Sequence, residues 1–126
     1  MLKPVMIAIA LAFGAQPVAA AERTTLGQFL ARWDALEARP GDVAEDDPER
    51  LALWELVSSA AKAYRQRIAD AVAAGQPAPG CPPPPGQAQL DSDEFMPRLR
   101  TLPPERRDQP FDQAMFGVLD AIFPCL

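Results

Sequence analysis

Residues 47–75, DPERLALWELVSSAAKAYRQRIADAVAAG, form the longest stretch governed by one period, and that period decides the fold class. From Leu51 onward the apolar or small residues Trp54, Val57, Ala61, Tyr64, Ile68 and Val72 recur every three or four positions, the spacing of one helix face. The stretch opens on Asp47-Pro48-Glu49, which supplies a capping side chain, a proline at the first helical position and an acid where the helix dipole favours one. Gly75 closes it, since glycine takes the left-handed conformation that ends helices.

Upstream, Thr25 and Gln28 have the three-residue spacing of a capping box, and Leu26, Phe29, Leu30, Trp33 and Leu36 follow on one face. Pro40-Gly41 stops this helix, and an acidic loop, Asp42 to Asp47, leads into the long one. Trp33, Trp54 and Tyr64 are expected on facing surfaces of these two helices, as core rather than as a ligand cage.

Downstream, residues 76–86 carry so many prolines that neither helix nor central strand can form, and a stiff connector presenting Cys81 is expected. Asp91-Ser92-Asp93-Glu94 then reads as a capped helix start, with Phe95, Leu99 and Leu102 as a short apolar stripe ending at Pro103-Pro104. Pro97 falls inside this helix, where it removes one backbone bond and kinks or shortens the element. A last helix, Phe111 to Phe123, places Phe111, Met115, Val118 or Leu119 and Ile122 on one side, and Pro124 stops it. No stretch sustains the alternation of a strand. The fold class is therefore all-α: a small single-domain bundle of about four helices.

At the N-terminus, Lys3, the apolar run Val5 to Phe13 and the small residues Val18-Ala19-Ala20-Ala21 have the layout of a secretory signal peptide covering residues 1–21, cut near Ala20 or Ala21. The apolar run is about half of the ~20 residues that a spanning helix needs, so no stable membrane anchor is expected. The helical domain then occupies residues 22–126. In an oxidising compartment its two cysteines, Cys81 and Cys125, pair as a disulfide.

Without residues 1–21 the chain keeps 11 basic residues against 17 acidic ones, a formal net charge of −6. That excess opposes binding to nucleic acid or to anionic lipid and suits a basic protein partner, although it also serves solubility. The sequence contains no histidine, which removes the usual general base, the commonest metal ligand and the partner of a nucleophilic serine or cysteine. Two acidic clusters remain, Asp42, Glu45, Asp46 and Asp47 with Glu49, then Asp91, Asp93 and Glu94. Neither has the spacing of a calcium loop, and both stand where acidic helix starts belong. No catalytic, metal or cofactor site is expected, and the protein reads as a non-enzyme.

Several elements of the C-terminal half carry a family likeness: Cys81-Pro82-Pro83, then Leu90-Asp91-Ser92-Asp93-Glu94-Phe95, the stretch from Leu99 to Pro103-Pro104, and Ala114 to Ile122 followed by Phe123-Pro124-Cys125. In these, residues 81–125 resemble the Rap/Tai-type immunity protein family of Gram-negative bacteria, exported proteins associated with type VI secretion amidase effectors. Many relatives carry a second cysteine pair in the N-terminal half, which is absent here. The resemblance implies a periplasmic inhibitor, as a monomer or a homodimer, that occupies the cleft of a peptidoglycan amidase. The leading contact residues would be Asp42, Glu45, Asp46, Asp47, Asp91, Asp93 and Glu94, steering an acidic inhibitor to a basic enzyme. The competing expectation is a stand-alone envelope protein with a structural or small-ligand role and no toxin partner.

Overall fold

In the computed structural model, which describes residues 23–87 and 90–126, four α-helices and one short 3₁₀ turn pack around a single core. The helices are α1 (Leu26–Glu37), α2 (Pro48–Ala73), α3 (Ser92–Arg100) and α4 (Phe111–Ile122), with the 3₁₀ turn at Pro104–Asp108 before α4. The expected signal peptide, residues 1–21, lies outside the described residues.

The helix starts follow from their caps. Thr25 Oγ1 accepts the Gln28 N–H at 3.1 Å and Gln28 Oε1 accepts the Thr25 N–H at 3.0 Å, which closes the capping box of α1. One Asp47 oxygen accepts the N–H groups of Glu49 and Arg50 at 3.0 and 3.1 Å, while Pro48 occupies the first position of α2, where a missing N–H costs nothing. Gly75, at φ +73°, turns the chain out of α2 in the conformation that an L side chain resists. In α3, Asp91 caps the start and Pro97 sits exposed within a helix of nine residues.

The buried face of α1 is the expected one: Leu26, Phe29, Leu30, Trp33 and Leu36. In α2 the register differs. Leu53, Val57, Ala60 and Tyr64 are buried, whereas Leu51 and Val72, expected on the apolar face, are 54% and 60% exposed. The buried stripe, spaced four, three and four residues apart, is rotated from the expected one: at ~100° per residue Leu51 falls nearly opposite it and Val72 about a quarter turn away. At ~1.5 Å per residue the 26 residues of α2 run about 39 Å, while the 12 residues of α1 cover about 18 Å, so α1 shields less than half of it. The start of α1 lies level with Ala60, as a surface hollow lined by Thr24, Leu56, Ala60 and Phe111 shows.

Beyond Ala60, α4 takes over. It is the most apolar of the four helices, buries Phe111, Ala114, Met115, Val118 and Leu119, and touches all three others. Consequently Tyr64 does not join Trp33 and Trp54 between α1 and α2. It faces α4 instead, with its ring 6.1 Å from Phe116 and its hydroxyl donating to Asp120 Oδ1 at 2.8 Å. Burial, reinforced by that bond, pushes the Tyr64 hydroxyl well above its ordinary pKa.

Two ties hold α4 in place. Phe111 N–H donates to the Thr24 carbonyl at 2.8 Å and Leu26 N–H donates to the Gln109 carbonyl at 3.0 Å, an antiparallel bridge in which each helix's first N–H is satisfied by the other's lead-in segment. At the far end Cys81 and Cys125 form the expected disulfide, with Cα atoms 5.0 Å apart, and Cys81 N–H donates to the Phe123 carbonyl at 2.8 Å. The proline-rich connector is thereby laid against α2. Arg65 Nη2 donates to the Pro83 carbonyl at 2.9 Å, and Gly80 is buried so closely under the Tyr64 hydroxyl that a Cβ there would overlap it.

Candidate functional site: an aromatic groove between two acidic segments

At the end of the bundle where α1 stops and α2 begins, Trp33, Trp54 and Phe95 form a triangle of edge-on rings. Their centroids lie 6.0 Å apart for Trp33 and Trp54, 6.2 Å for Trp33 and Phe95, and 6.1 Å for Trp54 and Phe95. Such tilted contacts bring each ring's positive edge to the negative face of the next. Phe95 is fully buried and Trp33 nearly so, while Trp54 is half-buried. A shallow groove of about 280 Å³ opens over the two indoles, bounded by Leu36, Glu37, Val43, Arg50 and Ser92.

This groove brings the two acidic segments together. Val43 belongs to the Asp42–Asp47 loop and Ser92 to the first turn of α3, so Asp42 borders one lining residue and Asp91 and Asp93 border another. Asp93 itself lines an adjoining hollow that shares Trp33, Glu37 and Ser92 with the groove and reaches Arg100. Asp42, Glu45, Asp46, Asp93 and Glu94 are exposed. Asp91 is exposed too, although one oxygen is engaged as the cap of α3.

Asp47, expected among the exposed acids, is instead half-buried and structural. Besides capping α2 it accepts from Arg39 Nη1 at 2.7 Å, and these contacts, led by the backbone N–H of Arg50, hold its carboxyl below the usual carboxylate range. Two more arginines nearby are engaged. Arg32 pairs with Glu49 through two bonds, at 2.7 and 3.1 Å, which lowers the Glu49 pKa, and Arg100 Nη2 lies 2.6 Å from Asp34. The positive charge near the groove is thus largely matched, and the exposed acids supply its excess charge. Arg50 is the exception: it lines the groove and forms no ion pair among the described residues.

Sequence reasoning singled out the acids as charge and did not single out Glu37 or Arg50, which line the groove. Glu37 Oε1 accepts from Trp33 Nε1 at 2.8 Å, which fixes the indole, and its other oxygen is 3.9 Å from Arg100. Its position just before the Pro40-Gly41 stop was the available signal, because a helix end beside a loop leaves its last side chains half-open.

The pair Cys81 and Cys125 stands elsewhere. Beside the connector that it anchors, a second hollow of about 230 Å³ lies between Tyr64, Arg65, Pro82, Leu90 and Phe123. Trp54 and Tyr64 are ten residues apart on α2, about 15 Å along the helix, so the disulfide contributes nothing directly to the aromatic groove. Among the described residues no cluster of three acids or cysteines comes together as a metal-binding group. No family model, curated protein or solved structure matches the chain.

Proposed function

We propose that the protein is an exported, immunity-like inhibitor of the Rap/Tai type, which binds a peptidoglycan amidase effector in the periplasm and acts by occupancy rather than by catalysis. The observation that carries this reading is the convergence of two separate acidic segments, Asp42–Asp46 and Asp91–Glu94, on the borders of one aromatic groove. A half-buried indole supplies contact area at low entropic cost, and acids around it steer a basic partner and fix its register. The sequence resemblance of residues 81–125 adds the identity of the partner class.

The test is binding of the mature protein to type VI amidase effectors, measured by calorimetry at two salt concentrations and accompanied by a peptidoglycan hydrolysis assay. Tight binding that weakens with salt and stops hydrolysis supports the reading. Charge reversal at Asp42, Glu45, Asp46, Asp93 and Glu94 should lower affinity and flatten its salt dependence. If reversal leaves both unchanged, the contact surface is wrong. If no amidase binds at all, the inhibitor reading fails, and a stand-alone envelope role takes its place.

A further inference from the structure

The inhibitor reading leaves open how the partner is held, and the groove itself narrows this. Its floor is aromatic, one wall ends in the carboxylate of Glu37, and the flanking loops carry exposed acids. Glu37 is already oriented, because one of its oxygens accepts from Trp33 Nε1 while the other is only loosely approached by Arg100 at 3.9 Å. A carboxylate held in place beside two indoles matches a side chain with an apolar stem and a cationic head, whose stem lies on the rings and whose head reaches the acid. The same chain uses this pairing internally, where Arg67 sits over the Phe116 ring at 5.3 Å from its centroid. Arg50 on the α2 wall would repel such a head from one side and Arg100 in the adjoining hollow from the other, which leaves it beside Glu37 and Ser92, two of the residues that the hollows share. A guest carboxylate would gain Arg50 but would meet Glu37 and the acids on either side.

Resting on the inhibitor reading for the partner's identity, we propose that the Trp33/Trp54 groove is the receptor for one arginine or lysine side chain of a basic protein partner, with Glu37 as its charge acceptor. The two indoles make the test direct, since Trp33 and Trp54 are the only tryptophans of the sequence and both line the groove. The probe is the tripeptide acetyl-Gly-Arg-Gly-amide, titrated into the full mature protein at constant ionic strength while tryptophan emission is followed. The control peptide carries citrulline, which keeps the shape and removes the charge. A saturable change in emission is expected with arginine, with affinity about tenfold weaker for citrulline, the factor contributed by a charge-assisted hydrogen bond.

Glu37→Gln should produce a similar loss while keeping an oxygen for Trp33 Nε1, and Trp54→Phe should weaken binding with the fold preserved. No saturable signal, equal binding of citrulline, or an unaffected Glu37→Gln variant each overturns the assignment. The two readings fail separately. An amidase that binds the wild type and both variants equally refutes the groove but keeps the inhibitor. A groove that binds the arginine peptide in a protein to which no amidase binds keeps the groove and refutes the inhibitor.

Discussion

Replacing Gly80 by alanine should destabilise the protein through one atom pair. The residue is buried in the connector directly beneath the Tyr64 hydroxyl, and an ideal Cβ there overlaps that oxygen and comes within 3.3 Å of Asp120 Oδ1. The φ of Gly80 is not positive, so backbone strain does not enter, and the alanine would by itself gain ~0.4–1 kcal/mol by restricting the unfolded chain. Against this stands overpacking of ~1–3 kcal/mol. To it is added the Tyr64–Asp120 bond if the ring is pushed away, ~1.5 kcal/mol for a carboxylate acceptor that is partly solvated. The net loss is then about 1.5–4 kcal/mol, or ~6–30 °C in Tm for a domain of this size. A double-mutant cycle identifies the cause. Tyr64→Phe alone should cost ~1.5 kcal/mol, but it removes the oxygen with which the added methyl group collides. The double variant should therefore be more stable than the sum of the single effects by at least ~1 kcal/mol, measured by urea denaturation of the oxidised protein. Additivity within ~0.5 kcal/mol would refute the proposed contact.

Tyr64 is the sole tyrosine, so its titration can be read as tyrosinate absorbance. Its folded pKa lies above the unfolded value of about 10, so its stabilising contribution is complete below that pH and is lost as pH rises toward the folded value. Absorbance should therefore appear only with alkaline unfolding, and a reversible tyrosinate transition near pH 10 in folded protein would contradict this. Asp47 works in the opposite sense. Its folded pKa is depressed, so its contribution is present above about pH 4 and disappears as pH falls through the folded value. Asp47→Ala should lower Tm at neutral pH and flatten its acid dependence, and Asn should restore most of the capping, as thermal melts at several pH values would show. Converting Cys81 and Cys125 to serine reopens a loop of about 45 residues and should cost ~4 kcal/mol. Hydrogen exchange should then locate the first loss of protection at the connector and at residues 119–123, and uniform loss would exclude a local latch.

The caps and stops of α1 and α2 were readable because they are local: Thr25 with Gln28, Asp47 with Pro48, and Gly75 need only their neighbours. The disulfide was readable from the presence of two cysteines downstream of a stretch with the layout of a signal peptide. The face of α2 was not, because its apolar residues and alanines offer two stripes of three-to-four spacing, Leu51-Trp54-Val57-Ala61 and Leu53-Val57-Ala60-Tyr64, of which the second is buried. Leu51 kept the three-to-four spacing yet is exposed, and Ala60, a residue with no strong preference, is buried where α1 gives way to α4. The bridge of Thr24 and Phe111 with Leu26 and Gln109 left no trace in residue type, since it is made by backbone atoms 83 and 87 positions apart. At the candidate site the acids were legible as charge, and their meeting at one groove was not. That convergence depends on the Asp42–Asp47 loop and the start of α3 being drawn to the same two indoles.

Trp33 and Trp54 therefore have two roles that a sequence reading treats as exclusive. They pack with Phe95 and secure α3 to α1 and α2, and their remaining open surface is the groove. Rigidity and the recognition proposed for the groove are compatible because the fixed points lie elsewhere. The backbone bridge at the start of α4 and the disulfide at its end restrain the element that touches every other helix. With α4 held at both ends, α3 is positioned by its packing and needs no covalent tie, although it has only nine residues and an internal proline. Its first turn can then be spent on Asp93 and Glu94, which face solvent beside the groove and contribute little to the core. A surface made of residues that the fold does not need is free to follow a partner's charge, and a surface backed by a triangle of packed rings does so without an ordering cost.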